Sequence, residues 1–340
     1  MENNNLNTNK KVLVSGVQSS GKLHIGNYFG ALKQNIDLAN SGEYESNIFI
    51  ADYHSMTTQT NAKQRREDIL DIACVYLACG LDVTKTNLFK QSDVPSHTEL
   101  SWILSTVTPM PMLELAHAYK DKQGKEEDRH LVNAGLFTYP VLMAADILMY
   151  NAEVVPVGKD QEQHVEIARE IAGKYNRTYG QTFKMPQAFI KKEVAIVPGV
   201  DGKKMSKSKN NYIPIFATEN EITKAVMSIV TDSARPEERK DSQNNNIYNI
   251  HKLFLNNEEA ESLKKRYEES SVEKPFGYAE AKKECAKAVI NYFSNMSEKY
   301  NYYKNNRAEV EQILVAGASK ANQKAKEMMT KIRQDTGLDF

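Results

Sequence analysis

Residues 12–32 read VLVSGVQSSGKLHIGNYFGAL, and this stretch decides the fold. Val12, Leu13 and Val14 form the short apolar, β-branched run of a buried parallel strand, and Gly16, Ser19, Ser20 and Gly21 mark the turn that ends it. From about Gly26 or Asn27 the pattern changes, with Ile25, Tyr28, Phe29, Leu32 and Ile36 recurring at helical spacing. Strand, small polar turn and helix make one half of a nucleotide-binding α/β unit, in which the unsatisfied N–H groups of a helix start face an anion. His24-Ile25-Gly26-Asn27 sharpens this expectation. An imidazole and a carboxamide stand beside the helix start, both able to donate to phosphate oxygens, and Gly26 lets a nucleotide approach the backbone.

Strand and helix signals go on alternating downstream. Residues 47–52 (NIFIAD) read as a second buried strand, and His54 lies just past its end, where doubly wound sheets place ligand contacts. A crossover helix is predicted over 61–80, stopped by Gly80, followed by a third strand over 86–90 and a helix around 99–105. A short helix over 112–119 leads into the charge-dense run 120–129, from which Lys122 can swing toward a polyphosphate. This alternation argues for an α/β fold: a Rossmann-like, doubly wound parallel sheet with helices on both faces.

Thr138 is the expected cap of a helix with Pro140 in its first turn, continuing as VLMAADILMY over 141–150. Asp146 stands alone there among Ala144, Ala145, Ile147 and Leu148. A desolvated carboxylate costs several kcal/mol unless something donates to it. Either a ligand or a basic side chain elsewhere has to supply the donor. Tyr139, Met143 and Asp146, at i, i+4 and i+7, share one face that offers a ring, a thioether and an acceptor. A strand over 153–157 then leads through Gly158-Lys159-Asp160-Gln161 into a helix whose His164 reads as structural, a turn suited to ribose hydroxyls or an ammonium group.

Composition is that of a globular chain: 340 residues, 41% hydrophobic and 26% charged, with room for two domains. Lys plus Arg and Asp plus Glu are both 44, so the strongly basic balance of an electrostatic nucleic-acid binder is absent and any such surface has to be local. No run is apolar for long enough to span a bilayer, and the polar start MENNNLNTNKK lacks a signal-peptide core, so no membrane association and a cytoplasmic location are expected. Cys74, Cys79 and Cys285 are scattered and read as core thiols, with no protein metal site. Residues 203–208 read KKMSKS, a cationic loop after an apolar run and the turn 198–202. From 216 onward strand signals give way to amphipathic helices, with Tyr300, Tyr302 and Tyr303 as candidates for base stacking or for packing.

HIGN and KMSKS, about 180 residues apart, together resemble the paired signatures of class I aminoacyl-tRNA synthetases. With SDVPSH, the run 134–164 and Val230-Thr231-Asp232-Ser233, nearly the whole chain resembles the bacterial-type tryptophanyl-tRNA synthetases. The related tyrosyl enzymes usually carry glutamine where Met143 stands. The resemblance implies a disordered tail over 1–10, a catalytic domain over 11–215, a helical anticodon-binding domain over 216–320 and a C-terminal helix over 321–340 that packs back on the catalytic domain. It implies ATP-dependent activation of L-tryptophan, transfer to tRNA(Trp) and a homodimer, with Mg2+ carried on ATP.

For individual residues the resemblance implies that His24, Asn27 and the amides near Gly26 hold the triphosphate. Lys204 and Lys207, with Lys122, close over pyrophosphate, alongside Met205, Ser206 and Ser208 of the same loop. Gln18, Ser19, Ser20, Gly158, Lys159, Asp160 and the backbone near Ile196 contact ATP. Asp146 takes the indole N–H, Met143 its face, and Tyr139, His54 and Gln161 surround the amino acid. Only about 100 residues separate the third strand from KMSKS, too few for a large editing insertion. Two departures stand out: Ser19 replaces the family's usual proline, and 116–119 lack its Arg-Met-Thr-Gln-Phe run.

Overall fold

The computed structural model describes residues 10–18, 23–116, 133–190 and 197–339, with only the backbone of Asp160 and Ser208. They fall into two compact units: the described parts of Met1–Gly21, Asn35–Lys192 and Asn306–Phe340, and those of Lys22–Gln34 and Glu193–Asn305.

The first unit is built on a five-stranded sheet of order β3-β2-β1-β4-β5. Its strands are β1 (Lys11–Val17), β2 (Tyr44–Ile50), β3 (Thr86–Lys90), β4 (Val154–Pro156) and β5 (Gln187–Phe189). All neighbours are parallel, with Lys11 opposite Tyr44, Leu13 opposite Val154, Ser46 opposite Thr86 and Val154 opposite Gln187. Leu13, Val14, Ile48, Phe49, Ile50, Leu88 and Phe89 are all buried. Such unbroken apolar runs are what a sheet covered on both faces requires. The strand order reverses between β1 and β4, the switch point at which doubly wound sheets bind ligands beyond their carboxyl ends.

One helix differs from expectation at its start. The helix carrying Asp146 runs over Ala134–Leu148 and is capped by Asn133, whose side chain accepts the Leu136 N–H at 2.9 Å. Thr138 is therefore not its cap but an interior residue whose hydroxyl donates to the Ala134 carbonyl. Pro140 sits inside the helix, so the stop and start signals at 138–140 were overridden by an earlier, better capping residue. The last helix (Arg307–Thr336) belongs to the first unit along its whole length. Gly317, Ala318, Ala321 and Ala325 are among its buried residues, and side chains this small let it lie directly on edge strand β3. A Cβ at Gly317 would stand 2.1 Å from the Leu88 carbonyl oxygen. Arg307 grips Glu67 at 2.7 and 2.9 Å, Asn322 donates to the Asp93 carbonyl at 2.7 Å, and Arg333 grips Glu99 at 2.6 and 2.7 Å.

The second unit is helical, with helices over Glu219–Met227, Asn246–His251, Asn257–Glu268 and Tyr278–Asn305. The chain enters it at Ile25–Asn27 and turns through a π-helical stretch, Tyr28–Leu32. Tyr28 and Phe29 from that stretch join Phe254, Tyr292 and Phe293 in an aromatic core. Tyr300 is buried and stacked on Phe216 at 4.6 Å, so its ring packs and does not offer itself to bases. Among the described residues no helix is long and apolar enough to cross a membrane.

Candidate active site

In the first unit, polar side chains gather beyond the carboxyl ends of β2 and β3. Asp52 ties these ends together: one oxygen accepts the Tyr53 and Ser92 N–H groups at 3.0 Å each, and the other accepts the Ser92 hydroxyl. Gln91, directly after β3, accepts the Tyr53 N–H through Oε1 at 3.2 Å. That bond turns its amide nitrogen toward Asp146, at 2.8 Å from Oδ1 and 2.9 Å from Oδ2.

Asp146 is not the solitary acid that its sequence neighbours imply. It is fully buried, yet His97 Nδ1 lies 2.6 Å from Oδ1 and His54 Nε2 lies 2.8 Å from Oδ2. Among the described residues no lysine or arginine pairs with it; imidazole and carboxamide nitrogens surround it instead. Burial pushes its pKa up, but the hydrogen bonds from His54 and His97 outweigh that and hold it below the ordinary carboxylate value. The far nitrogen of His97 meets the Tyr150 hydroxyl at 2.7 Å, and burial together with Asp146 pushes the Tyr150 pKa up, so the phenol keeps its proton. The correction has a simple cause, since the three donors lie 49 to 92 residues from Asp146 in sequence.

A second chain of bonds organises the neighbouring face. The Tyr139 hydroxyl meets His164 Nε2 at 2.5 Å, and His164 Nδ1 meets Gln161 Oε1 at 2.9 Å. His164, expected as merely structural, thus bridges two residues predicted for the amino acid site. His54, Tyr139, Tyr53, Thr57, Ser101 and Leu142 are among the residues lining a cavity of about 280 Å3. Met143 is half-buried against the core.

In the second unit, HIGN and KMSKS lie against each other. His24 caps the helix start: its Nδ1 accepts the Asn27 N–H at 3.3 Å, while the Asn27 side-chain oxygen accepts the His24 N–H at 3.2 Å. This capping box uses up the acceptor atoms of both side chains. The remaining polar atoms, His24 Nε2–H and the Asn27 amide, are donors, as an anion requires. Burial and the positive field of Lys207 lower the His24 pKa to about 4, so the ring is neutral at pH 7. Residues 23–25 pair with 213–215: Ile25 N–H donates to the Ile213 carbonyl at 3.1 Å and Ile215 N–H to Leu23 at 3.1 Å.

The lysine loop is shaped by Asn211, which is buried. Its oxygen accepts the Ser206 N–H at 2.8 Å, and its nitrogen donates to Asp201 at 2.7 Å and to the Lys204 carbonyl at 3.2 Å. Gly199 is obligatory, since a Cβ there would meet the Asn211 side chain at 2.4 Å. Met205 is buried, and a Cβ on Gly26 would lie 3.4 Å from the Met205 Cβ. Met205 therefore anchors the loop to the HIGN turn, while Lys203 and Lys204 are exposed.

Of the other predicted residues, Gln18 is exposed at the end of β1, and Gly158 leads from β4 into the turn of Lys159 and Gln161. Lys159 forms an exposed ion pair with Glu162. Ser19, Ser20, Lys122 and Ile196 lie outside the described residues, as do the side chains of Asp160 and Ser208. Sequence reasoning missed Gln91, His97, Tyr150, His164 and Asn211. Gln91 and His97 had a usable signal, their position just past a predicted strand end.

Comparison with known proteins gives concordant results. The profile described as class I tRNA synthetases (W and Y) matches residues 6–294. The chain is 48% identical to the tryptophan–tRNA ligase of Fusobacterium nucleatum over 326 residues, covering 96% of this chain and 97% of that protein. It is 45% identical to the tryptophan–tRNA ligase of Campylobacter jejuni, covering 96% and 99%. The crystal structure of the C. jejuni tryptophanyl-tRNA synthetase complexed with ADP and tryptophan superposes with a TM-score of 0.87 at 45% identity, covering 96% of this chain and 99% of that one.

Proposed function

Because the chain belongs to the class I tRNA synthetases of the tryptophan and tyrosine group, we propose that its two residue groups divide the tryptophan branch of that chemistry between them. The chain activates L-tryptophan with ATP to tryptophanyl-adenylate and passes the tryptophanyl group to tRNA(Trp), releasing pyrophosphate and then AMP. The tryptophan carboxylate is already anionic at neutral pH, so its attack on the α-phosphorus needs no general base. Catalysis is positioning plus stabilisation of the charge that collects on the leaving phosphates.

In this reading His24 Nε2–H, the Asn27 amide and the amides near Gly26 donate to the triphosphate. Lys204 and Lys207, joined by Lys122, follow the charge onto pyrophosphate, and Gln18, Gly158, Lys159 and Asp160 hold the adenosine part. Mg2+ carried with the nucleotide would neutralise part of the phosphate charge. In the first unit Asp146 accepts the indole N–H, Met143 packs on the ring, and Tyr139, Gln161 and His54 enclose the amino acid. Phenylalanine, with no N–H to offer, forgoes a hydrogen bond to this buried acid at a cost of about 1–3 kcal/mol. The chain works as a homodimer in the cytoplasm, with its helical unit reading the anticodon.

The observation that carries this reading is the union of the capped HIGN start and the Asn211-shaped lysine loop, which presents N–H donors and ammonium groups from one unit. Tyrosine activation is the rival, and Met143 argues against it. ATP–pyrophosphate exchange across the twenty amino acids tests both. Tryptophan should be the preferred substrate by at least about a hundredfold; faster exchange with tyrosine would overturn the assignment.

A further inference from the structure

Asp146 has two oxygens with different surroundings. Oδ1 receives His97 and Gln91 in a sealed interior: His97 is wholly buried, with the rings of Phe49, Phe89 and Tyr150 edge-on around it at 6.0, 6.4 and 5.6 Å. Oδ2 shares the Gln91 amide and, among the described residues, otherwise receives only His54, which lines the open cavity and stands edge-on to Tyr139 at 6.3 Å. One histidine is therefore fixed and the other stands at the door.

We propose that His97 is a positioning residue for tryptophan: by committing Oδ1 it dedicates Oδ2 to the substrate, whose indole N–H takes the place held by His54 in the free site. The proposal rests on reading Asp146 as the indole acceptor. His97 Nδ1 faces a carboxylate oxygen and so carries the proton, which leaves Nε2 to accept from Tyr150, a phenol that keeps its own proton. Tyr150 thereby selects the tautomer and His97 selects the oxygen.

The exchange is balanced. One N–H leaves Oδ2 as another arrives, so the buried acid is never without a donor, and a ring lacking N–H has to enter without making that exchange. This places part of the discrimination in groups that never touch the amino acid.

His97→Asn and His97→Gln separate positioning from packing. Asparagine carries its amide nitrogen on the same carbon that bears Nδ1 and can still donate to Oδ1, whereas the glutamine nitrogen falls where Nε2 was. In pyrophosphate exchange His97→Gln should raise the tryptophan KM by about tenfold, the loss of one hydrogen bond to a charged group. His97→Asn should stay within about threefold of wild type, and the ATP KM should not move in either. Equal effects of the two variants, whether both wild-type or both impaired, would overturn the proposal. Should neither variant fold, Tyr150→Phe decides, because it removes only the hydroxyl; an unchanged tryptophan KM there overturns the relay. Asp146→Asn tests the underlying reading separately: wild-type tryptophan kcat/KM and phenylalanine rejection in that variant would reject the acid's role whatever His97 does.

Discussion

In the proposed function His24 divides its two ring nitrogens between folding and chemistry. Nδ1 closes the helix cap with Asn27, which leaves Nε2–H as the donor. A hydrogen bond to phosphate strengthens as charge moves onto the leaving group, so His24→Ala should slow single-turnover adenylation by roughly 100-fold. An unchanged rate would remove His24 from the reaction. Because its pKa is lowered to about 4, the neutral ring prevails above that value, and protonation sets in only as the pH falls toward it. The kcat/KM for ATP, which reports on the free enzyme, should therefore show no acid limb near pH 6.5 arising from His24. A limb there that vanishes in His24→Gln would contradict the neutral resting state. His24 and Asn27 stood out in sequence as one contiguous motif, and their mutual cap is equally local, between residues three apart. His97 and Gln91 had only their place just past a strand end to mark them, because the carboxylate they bind lies some fifty residues away.

Among the elements, those with local causes were the readable ones. The first four strands announced themselves through short apolar runs, and the first strand-turn-helix through its glycines, whereas β5, only three residues long, gave no such signal. The helix carrying Asp146 was misplaced at its start because Asn133 and Thr138 are both acceptable caps, and only tertiary context chooses between them. The last helix shows the same limit in its packing. Nothing local says that Gly317 faces a strand, yet a Cβ there would collide with the backbone of Leu88 at 2.1 Å. Valine at 317 would have to push the helix off β3. Overpacking of this kind costs about 1–3 kcal/mol, outweighing any helix propensity gained over glycine. Gly317→Val should lower the thermal unfolding midpoint by several degrees, and proteolysis at 306–340 should accelerate. A midpoint equal to wild type would show that the helix does not depend on close approach.

At the scale of the whole molecule, the two residue groups of the proposed function belong to different compact units: the acid and its three donors to one, the capped turn and the lysine loop to the other. The formal net charge is zero, so no net-charge attraction or repulsion acts across the chain. If each unit contributes its own share of transition-state stabilisation, damage to one should leave the other's share intact. Asn211→Ala removes the side chain that sets the lysine loop and should lower kcat for adenylation by at least about tenfold, leaving tryptophan KM and phenylalanine rejection as they were. Asp146→Asn should do the reverse, raising tryptophan KM and eroding rejection while the ATP KM holds. In the double variant the two losses in kcat/KM should multiply to within about a factor of two, the 0.3–0.5 kcal/mol within which independent sites add. A combined loss much smaller than the product would mean that the amino acid pocket and the phosphate clasp act as a single cooperative element, and the division of labour drawn from the two units would have to be abandoned.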